Sequence, residues 1–336
     1  MKLIIQIPCL NEAATLPIAL ADLPKQIPGI DVIEVLIIDD GSRDDTVEVA
    51  RKHGVHHVVG FRSNQGLARA FMLGIQACLE RGADIIVNTD ADNQYNGADI
   101  EALVRPILED RADLVIGARP IQNIKHFSPV KKLLQRLGSW VVRRVSNTDV
   151  ADAPSGFRAM SRDVGLVLNV FSDYTYTLET IIQAGQKNLR VASVPIRVNG
   201  DLRPSRLVRS ISSYVRRSVL TMLRIFIVYR PLRFFLTMSV APFAIGIAIG
   251  VRFLFQYFRG DGDGHVQSLI LAAVMLLVAF QTVLLAILAD LQSVNRRLLE
   301  DLQQKERERR AGESAAQLAA RQGRVSERPR NWATSA

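Results

Sequence analysis

The sequence predicts an α/β domain built on a mostly parallel sheet, followed by a helical hairpin in a membrane. Two observations carry this. Up to residue 200, short β-branched runs alternate with longer helical patterns, the spacing of βαβ units. Beyond it, residues 234–251 and 266–289 hold no formally charged side chain. Crossing a hydrocarbon core of ~30 Å takes roughly 20 helical residues, so each run can span it. With 48% hydrophobic and 22% charged residues, the chain has ample material for a core and is too apolar for general disorder. Cys9 and Cys78 are its only cysteines, too few for a disulfide framework, and they fit a reducing compartment.

The elements follow in order. Candidate strands are residues 2–7, 32–38, 55–60, 84–88 and 113–117. The first apolar run stops at Pro8, too early for a signal peptide, so it reads as a strand. Helical patterns lie near residues 12–23, 44–52, 67–81 and 98–109. In a sheet covered on both faces, ligands bind beyond the carboxyl ends of the strands. The residues in that position are 8–12, 39–42, 90–94 and Arg119.

The two apolar runs are joined by the polar turn Gly260-Asp261-Gly262-Asp263-Gly264, so both ends of the hairpin fall on one side. The first run reaches full length only if Arg252 snorkels toward the far interface, where Phe253, Phe255, Tyr257 and Phe258 supply an aromatic belt. Arginines crowd the approach to the hairpin and its exit, which places residues 1–200 and the tail in the cytoplasm. Residues 206–229 form a basic amphipathic helix: Arg206, Arg209, Arg216, Arg217 and Arg224 share one side, while most of Leu207, Val208, Ile211, Val215 and Val219 lie opposite. The net charge of +9 is thereby assigned to lipid headgroups, and nucleic acid is not expected. The expected organisation is a catalytic domain over 1–200, an interfacial helix over 201–230, two spans over 231–291 and a cytoplasmic tail over 292–336. The tail is polar beyond Gln303 and expected to be frayed.

Four strand ends carry chemistry. Asp90-Ala91-Asp92 offers carboxylates at i and i+2 that can share one hard cation, leaving positions open for phosphate oxygens; Gln94 adds a third oxygen. Pro8, Leu10, Asn11 and Glu12 end the first strand, with Glu12 placed to accept from a base or ribose and Asn11 suited to cap a helix. Asp39-Asp40-Gly41-Ser42 ends the second; one acid suits ribose hydroxyls or a base edge, the other a cap. Arg119 ends another strand with a fork that fits phosphate. A cation, a nucleoside site and an arginine in one crevice read as a nucleoside-diphosphate site.

Pro8 with Asn11-Glu12, Asp39-Asp40-Gly41-Ser42, Asn64-Gln65-Gly66, Asp90-Ala91-Asp92 with Gln94, and Ser155-Gly156-Phe157-Arg158 together resemble an inverting GT-A glycosyltransferase. The group most similar is dolichyl-phosphate mannosyltransferase and its bacterial polyprenyl-phosphate relatives. The resemblance covers residues 1–230, and the hairpin matches members with two spans. It implies a GT-A, Rossmann-like α/β domain that moves a sugar from a UDP- or GDP-linked donor to undecaprenyl or dolichyl phosphate. Donor contacts fall on Pro8, Leu10, Asn11, Glu12, Asp39 and Asp40, with Asp90, Ala91 and Asp92 at the diphosphate. Mg2+ or Mn2+ falls on Asp90, Asp92 and Gln94. Asp92, Arg119 and Arg206 take the catalytic roles. Acceptor phosphate falls to Arg119, Lys131, Ser155, Arg158, Arg203 and Arg206. Two positions depart from the family pattern: Leu10 stands where an aromatic is common, and Arg203 replaces an arginine usually spaced differently.

Charge dictates the implied mechanism. A lipid monophosphate with a second pKa near ~6 is mostly a dianion at pH 7 and needs no general base. A hydroxyl acceptor needs one, and Glu179 is the candidate, its alternative being a structural helix acid. Lys131, Lys132 and Arg158 have the alternative of a solvated face or a structural pin. Two competing functions differ testably. A polysaccharide synthase needs a Gln-x-x-Arg-Trp motif, which 135–140 lacks, and a channel that two spans do not enclose. A non-catalytic scaffold that binds nucleotide sugar has no need of an intact Asp-x-Asp. The expected location is the cell membrane, and a homo-oligomer is compatible with the chain.

Overall fold

The computed structural model describes residues 1–120, 129–170, 176–200, 216, 219–221, 223–224, 227–259 and 266–326. Two compact units emerge, Met1–Ser213 with Glu300–Ala336, and Tyr214–Leu299.

The first unit is a seven-stranded sheet in the order β3-β2-β1-β4-β6-β5-β7. The strands are β1 (Lys2–Cys9), β2 (Val32–Asp39), β3 (His57–Gly60), β4 (Ile85–Asn88), β5 (Leu114–Ala118), β6 (Arg158–Ser161) and β7 (Val191–Pro195). All pairings are parallel except those of β6, which runs against β4 and β5. The expected strands are present, within a residue or two at their ends. β6 and β7 escape sequence reading: β6 is four residues long and opens on an arginine, and β7 is half-exposed. Helices α1 (Leu16–Ala21), α2 (Thr46–Lys52), α3 (Leu67–Glu80), α4 (Ile100–Leu108), α5 (Pro129–Ser146), α6 (Arg162–Val167) and α7 (Thr177–Gln186) complete the unit. α1 is shorter than its pattern because Asn11 adopts a left-handed φ of 53° and Pro17 fixes the first turn.

The centre of the sheet is mostly apolar, with Gln6, Asn88 and Arg158 as buried polar exceptions. Leu3, Ile5, Ile7, Ile85, Val87 and Val115 are buried on one face with Ile100, Leu103 and Val104 of α4. On the other face α3 lies close to the sheet because Gly74 has no side chain. A Cβ there would stand 2.4 Å from Gln6 Oε1 and 2.8 Å from Ile38 Cδ1. Gly74→Ala is therefore expected to destabilise by about 1–3 kcal/mol, the cost of overpacking, as read by thermal unfolding.

The topology gathers one edge. Cys9 pairs with Asp39 and Gln6 with Asn88, so β1, β2 and β4 finish together. β5 runs in the same direction, and antiparallel β6 begins there, with Arg158 opposite Asn88. The segments after β1, β2, β4 and β5 and the segment before β6 thus share one rim.

The second unit contains α8 (Pro231–Phe258) and the membrane-length part of α9 (Val266–Ser326). Both are long and apolar enough to cross a membrane, and only 11% and 17% of their most apolar windows are buried. Core helices of a soluble domain would be mostly covered. The helices meet through small residues: a Cβ on Gly246 would lie 2.9 Å from Leu276 Cγ and 3.2 Å from the Ala272 carbonyl. Ala272, Ala279 and Ala286, buried at heptad spacing, continue that seam. Gly246→Leu is expected to separate the pair, seen as loss of a disulfide between cysteines introduced on facing positions. The polar stretch past Gln303 is helical as far as Ser326. Its i,i+4 pairs Arg309–Glu313 and Arg310–Glu306 support a helix that composition alone reads as frayed.

Candidate active site

The loop after β1 is locked to the loop after β2. The Asn11 amide donates to Ser42 Oγ at 2.9 Å, and Asn11 Oδ1 accepts from the Arg43 amide at 2.8 Å. The Glu12 amide donates to Thr46 Oγ1 at 2.9 Å, and Glu12 Oε2 accepts from Thr15 Oγ1 at 2.7 Å. Asn11, expected among donor contacts and as a cap, thus shapes the loop that carries Leu10 and the buried Glu12.

The adjacent acids divide their work. Asp40 is 4% exposed, and its carboxylate accepts from the amides of Gln65 and Gly66 at 2.7 and 2.9 Å. It holds the loop that opens α3 rather than facing the crevice. Asp39 is half-buried, and Oδ1 accepts from the Ser42 amide at 3.0 Å. Gly41, at φ 76°, lets the chain turn against Ser63 and Asn64, where a Cβ would stand 2.6 Å from backbone.

Asp90 lies between β4 and the start of β6. A Cβ on Gly156 would stand 3.1 Å from Asp90 Oδ2 and 3.0 Å from the Tyr176 hydroxyl. The backbone of Gly156 is gripped on both sides: its amide donates to the Tyr95 hydroxyl at 3.1 Å, and its carbonyl accepts from Asn88 Nδ2 at 2.9 Å. Asn88 also donates to the Tyr176 hydroxyl at 3.0 Å and accepts from Gln6 Nε2 at 2.9 Å. Tyr95 stacks on Phe157, and Tyr176 on Phe71. Gly156→Ala is expected to crowd Asp90 and lower activity more than stability, which a comparison of kcat with unfolding temperature checks.

Electrostatics bind these groups together. Burial first, then the repulsion of Asp92, push Asp90 up to about 7, against the pull of Arg119 and Arg158. Burial raises the Cys9 thiol well above its usual value, reinforced by Glu12, Asp39, Asp44 and Asp90, so these acids converge on one region. Asp92 Oδ1 accepts from the Gln94 amide at 3.2 Å, which turns the loop, and Asn199 clamps it by donating to the Asn93 carbonyl at 3.1 Å. Among the described residues no three His, Cys, Asp or Glu side chains cluster as a complete metal cage.

Arg119 is anchored by an acid that sequence reasoning missed. Its Nε and Nη2 donate to the two oxygens of Asp152 at 2.6 and 3.0 Å, with side-chain exposures of 12% and 1%. Burial opposes its charge, but Tyr95, Asp152 and Asp90 more than offset that, and its pKa lies above the ordinary arginine value. Arg158 departs from the acceptor-contact expectation. It is wholly buried, and its guanidinium donates to the Thr177 carbonyl at 3.2 Å and, in shorter contacts, to Thr180 Oγ1 and the Ser155 carbonyl. It lies 5.2 Å from the Tyr176 ring centroid. Ser155 is likewise fully buried. Arg158 thus pins the wall under Gly156 by gripping the Ser155 carbonyl and α7. Glu179 is half-buried in the first turn of α7. Arg203 and Arg206 lie outside the described residues, as does the side chain of Lys131 on α5. An arginine closing an apolar strand calls for a counter-charge or a set of acceptors, and an asparagine closing one is itself a signal; those two cues could have found Asp152 and Asn88.

A mixed sheet in this order, with paired carboxylates after β4, defines the GT-A class of sugar transferases. The match to Glycosyl transferase family 2 runs over residues 4–165. A UDP-N-acetylglucosamine–dolichyl-phosphate N-acetylglucosaminyltransferase of Methanococcus voltae is 30% identical, over 48% of this chain and 73% of its own. An undecaprenyl-phosphate mannosyltransferase of Micrococcus luteus is 28% identical, over 58% of this chain and 83% of its own. Glucosyl-3-phosphoglycerate synthase of Mycobacterium tuberculosis, solved with Mn2+, UDP-glucose and phosphoglyceric acid, superimposes with a TM-score of 0.52 at 22% identity, covering 66% of this chain and 79% of its own. The chain belongs to glycosyltransferase family 2 and is a glycosyltransferase. The non-catalytic scaffold is thereby set aside.

Proposed function

We propose that this enzyme transfers a sugar from a nucleoside-diphosphate donor to a polyprenyl monophosphate at the cytoplasmic face of the membrane, with inversion at the anomeric carbon. The observation that carries the reading is one chain holding both a nucleoside-diphosphate rim and a pair of exposed, membrane-length helices. Two relatives named for transfer to dolichyl or undecaprenyl phosphate support it. Arginines flanking the hairpin support the cytoplasmic orientation.

The residues fit a divalent ion. Burial first and then the neighbouring Asp92 disfavour the charged form of Asp90, and a cation shared by the two carboxylates relieves both penalties. Mg2+ or Mn2+ would be held by Asp90 and Asp92, with Gln94 beside them and phosphate oxygens completing the shell. Bound there, it would supply charge neutralisation to the departing nucleoside diphosphate. Pro8, Leu10, Glu12 and Asp39 line the nucleoside end. Arg119, fixed by Asp152, directs a permanent positive field at the phosphate region. An acceptor dianion attacks without a base, so Glu179 is spared proton transfer. Arg203, Arg206 and Lys131 are assigned to the acceptor phosphate.

Membranes containing the enzyme, incubated with labelled UDP- and GDP-sugars and polyprenyl phosphate, test this. The expected result is mild-acid-labile label in the lipid extract for one sugar. Label confined to long polymer would instead support the hydroxyl-acceptor synthase.

A further inference from the structure

The far end of α9 returns to the catalytic unit and ties down the chain that follows α6. Arg307 donates through both terminal nitrogens, to the Leu168 carbonyl and to Asn169 Oδ1. Lys187 Nζ also reaches Gln304 Oε1 at 3.4 Å, one turn before Arg307 on the same helix. Asn169 is 3% exposed. Its amide donates to Gln183 Oε1 at 2.8 Å, and its carbonyl accepts from Gln183 Nε2 in a shorter contact. Gln183 belongs to α7, whose Thr177 and Thr180 hold Arg158 and whose leading residue, Tyr176, meets Asn88 and the space beside Gly156 and Asp90.

We propose that Arg307 is a positioning residue, and that the α9 extension is a docked arm which sets α7, and through Tyr176 and Arg158 the wall beside Asp90, for donor diphosphate. The inference rests on the donor reading above. The arm needs no contact with substrate. Leu168 ends α6, so its carbonyl has no partner further along that helix, and a guanidinium fork satisfies it together with a buried amide. Without the cation, the Leu168 carbonyl and Asn169 Oδ1 lose charge-assisted bonds in a place where they are costly to leave unmade.

The full-length protein, as R307A, R307K and the exposed control R309A, provides the test. Two readouts apply: hydrogen exchange at the amides of α7, and titration with UDP or GDP in the presence of Mn2+ beside steady-state transfer. R307A is expected to exchange about tenfold faster over α7. It is expected to bind the nucleotide, and to show a donor KM, about tenfold more weakly, with kcat little changed. R307K should recover part of both, and R309A should match wild type. R307A that folds with unchanged exchange, or that loses kcat and unfolding temperature together at constant KM, overturns the inference. Wild type that binds neither nucleotide refutes the donor reading and takes the inference with it. Wild type that binds, beside an R307A that binds equally well, overturns the inference alone.

Discussion

Asp92→Ala is expected to lower kcat by at least about a thousandfold while the protein keeps its unfolding temperature within a few degrees. The partition between the two follows from the surroundings. Asp92 is half-buried in a loop held independently by Asn199, so removing its carboxylate leaves the clamp in place. It also removes the repulsion that helps push Asp90 up to about 7. Loss of stability would be expected only from Asp90, which packs against Gly156. A variant that unfolds would make Asp92 structural, and one that transfers normally would remove it from the site.

The same pair sets a pH dependence. The folded-state pKa of Asp90 is raised from the ordinary aspartate value of 3.8 to about 7, so its protonated form favours the folded chain. That contribution is present at low pH and is lost as pH rises through about 7. A cation binds the deprotonated pair. Added Mn2+ is therefore expected to raise the unfolding temperature more at pH 8 than at pH 6, in a thermal scan of the metal-stripped protein.

Asp152→Ala carries the largest expected stability effect. The change leaves the Arg119 guanidinium nearly buried without its bidentate partner, which costs about 3–5 kcal/mol in comparable sites. Chemical denaturation reads this. Replacing both partners at once, Arg119→Met with Asp152→Leu, is expected to regain most of that stability, because an apolar pair of similar volume needs no desolvated charge. The double variant should nonetheless stay impaired in transfer, since the positive field near the phosphates is gone. Recovery of both stability and activity would reduce the ion pair to scaffolding.

Sequence pattern made much of the architecture legible. Strands β1 to β5 announce themselves by β-branched runs, and the membrane helices by unbroken apolarity. Asp90, Asp92 and Asp39 could be placed because parallel strands deliver their following residues to one rim. β6 was hidden because its leading residue, Arg158, reads as a surface cation; only its complete burial, with both terminal nitrogens bonded, shows otherwise. Asp40 and Asp39 look equivalent in a string of letters, and the amides of Gln65 and Gly66, far along the chain, separate them. The docked α9 arm depends on contacts between Arg307 and Asn169, far apart in sequence, where no local pattern exists to read.

The most direct measurement gives purified enzyme one labelled nucleotide sugar and two acceptors, a polyprenyl monophosphate and the corresponding free polyprenol, with and without EDTA. Label on the monophosphate alone, abolished by the chelator, is the result this account predicts. Glycosylation of the free alcohol in preference to its phosphate, or transfer that persists undiminished in EDTA, would contradict it.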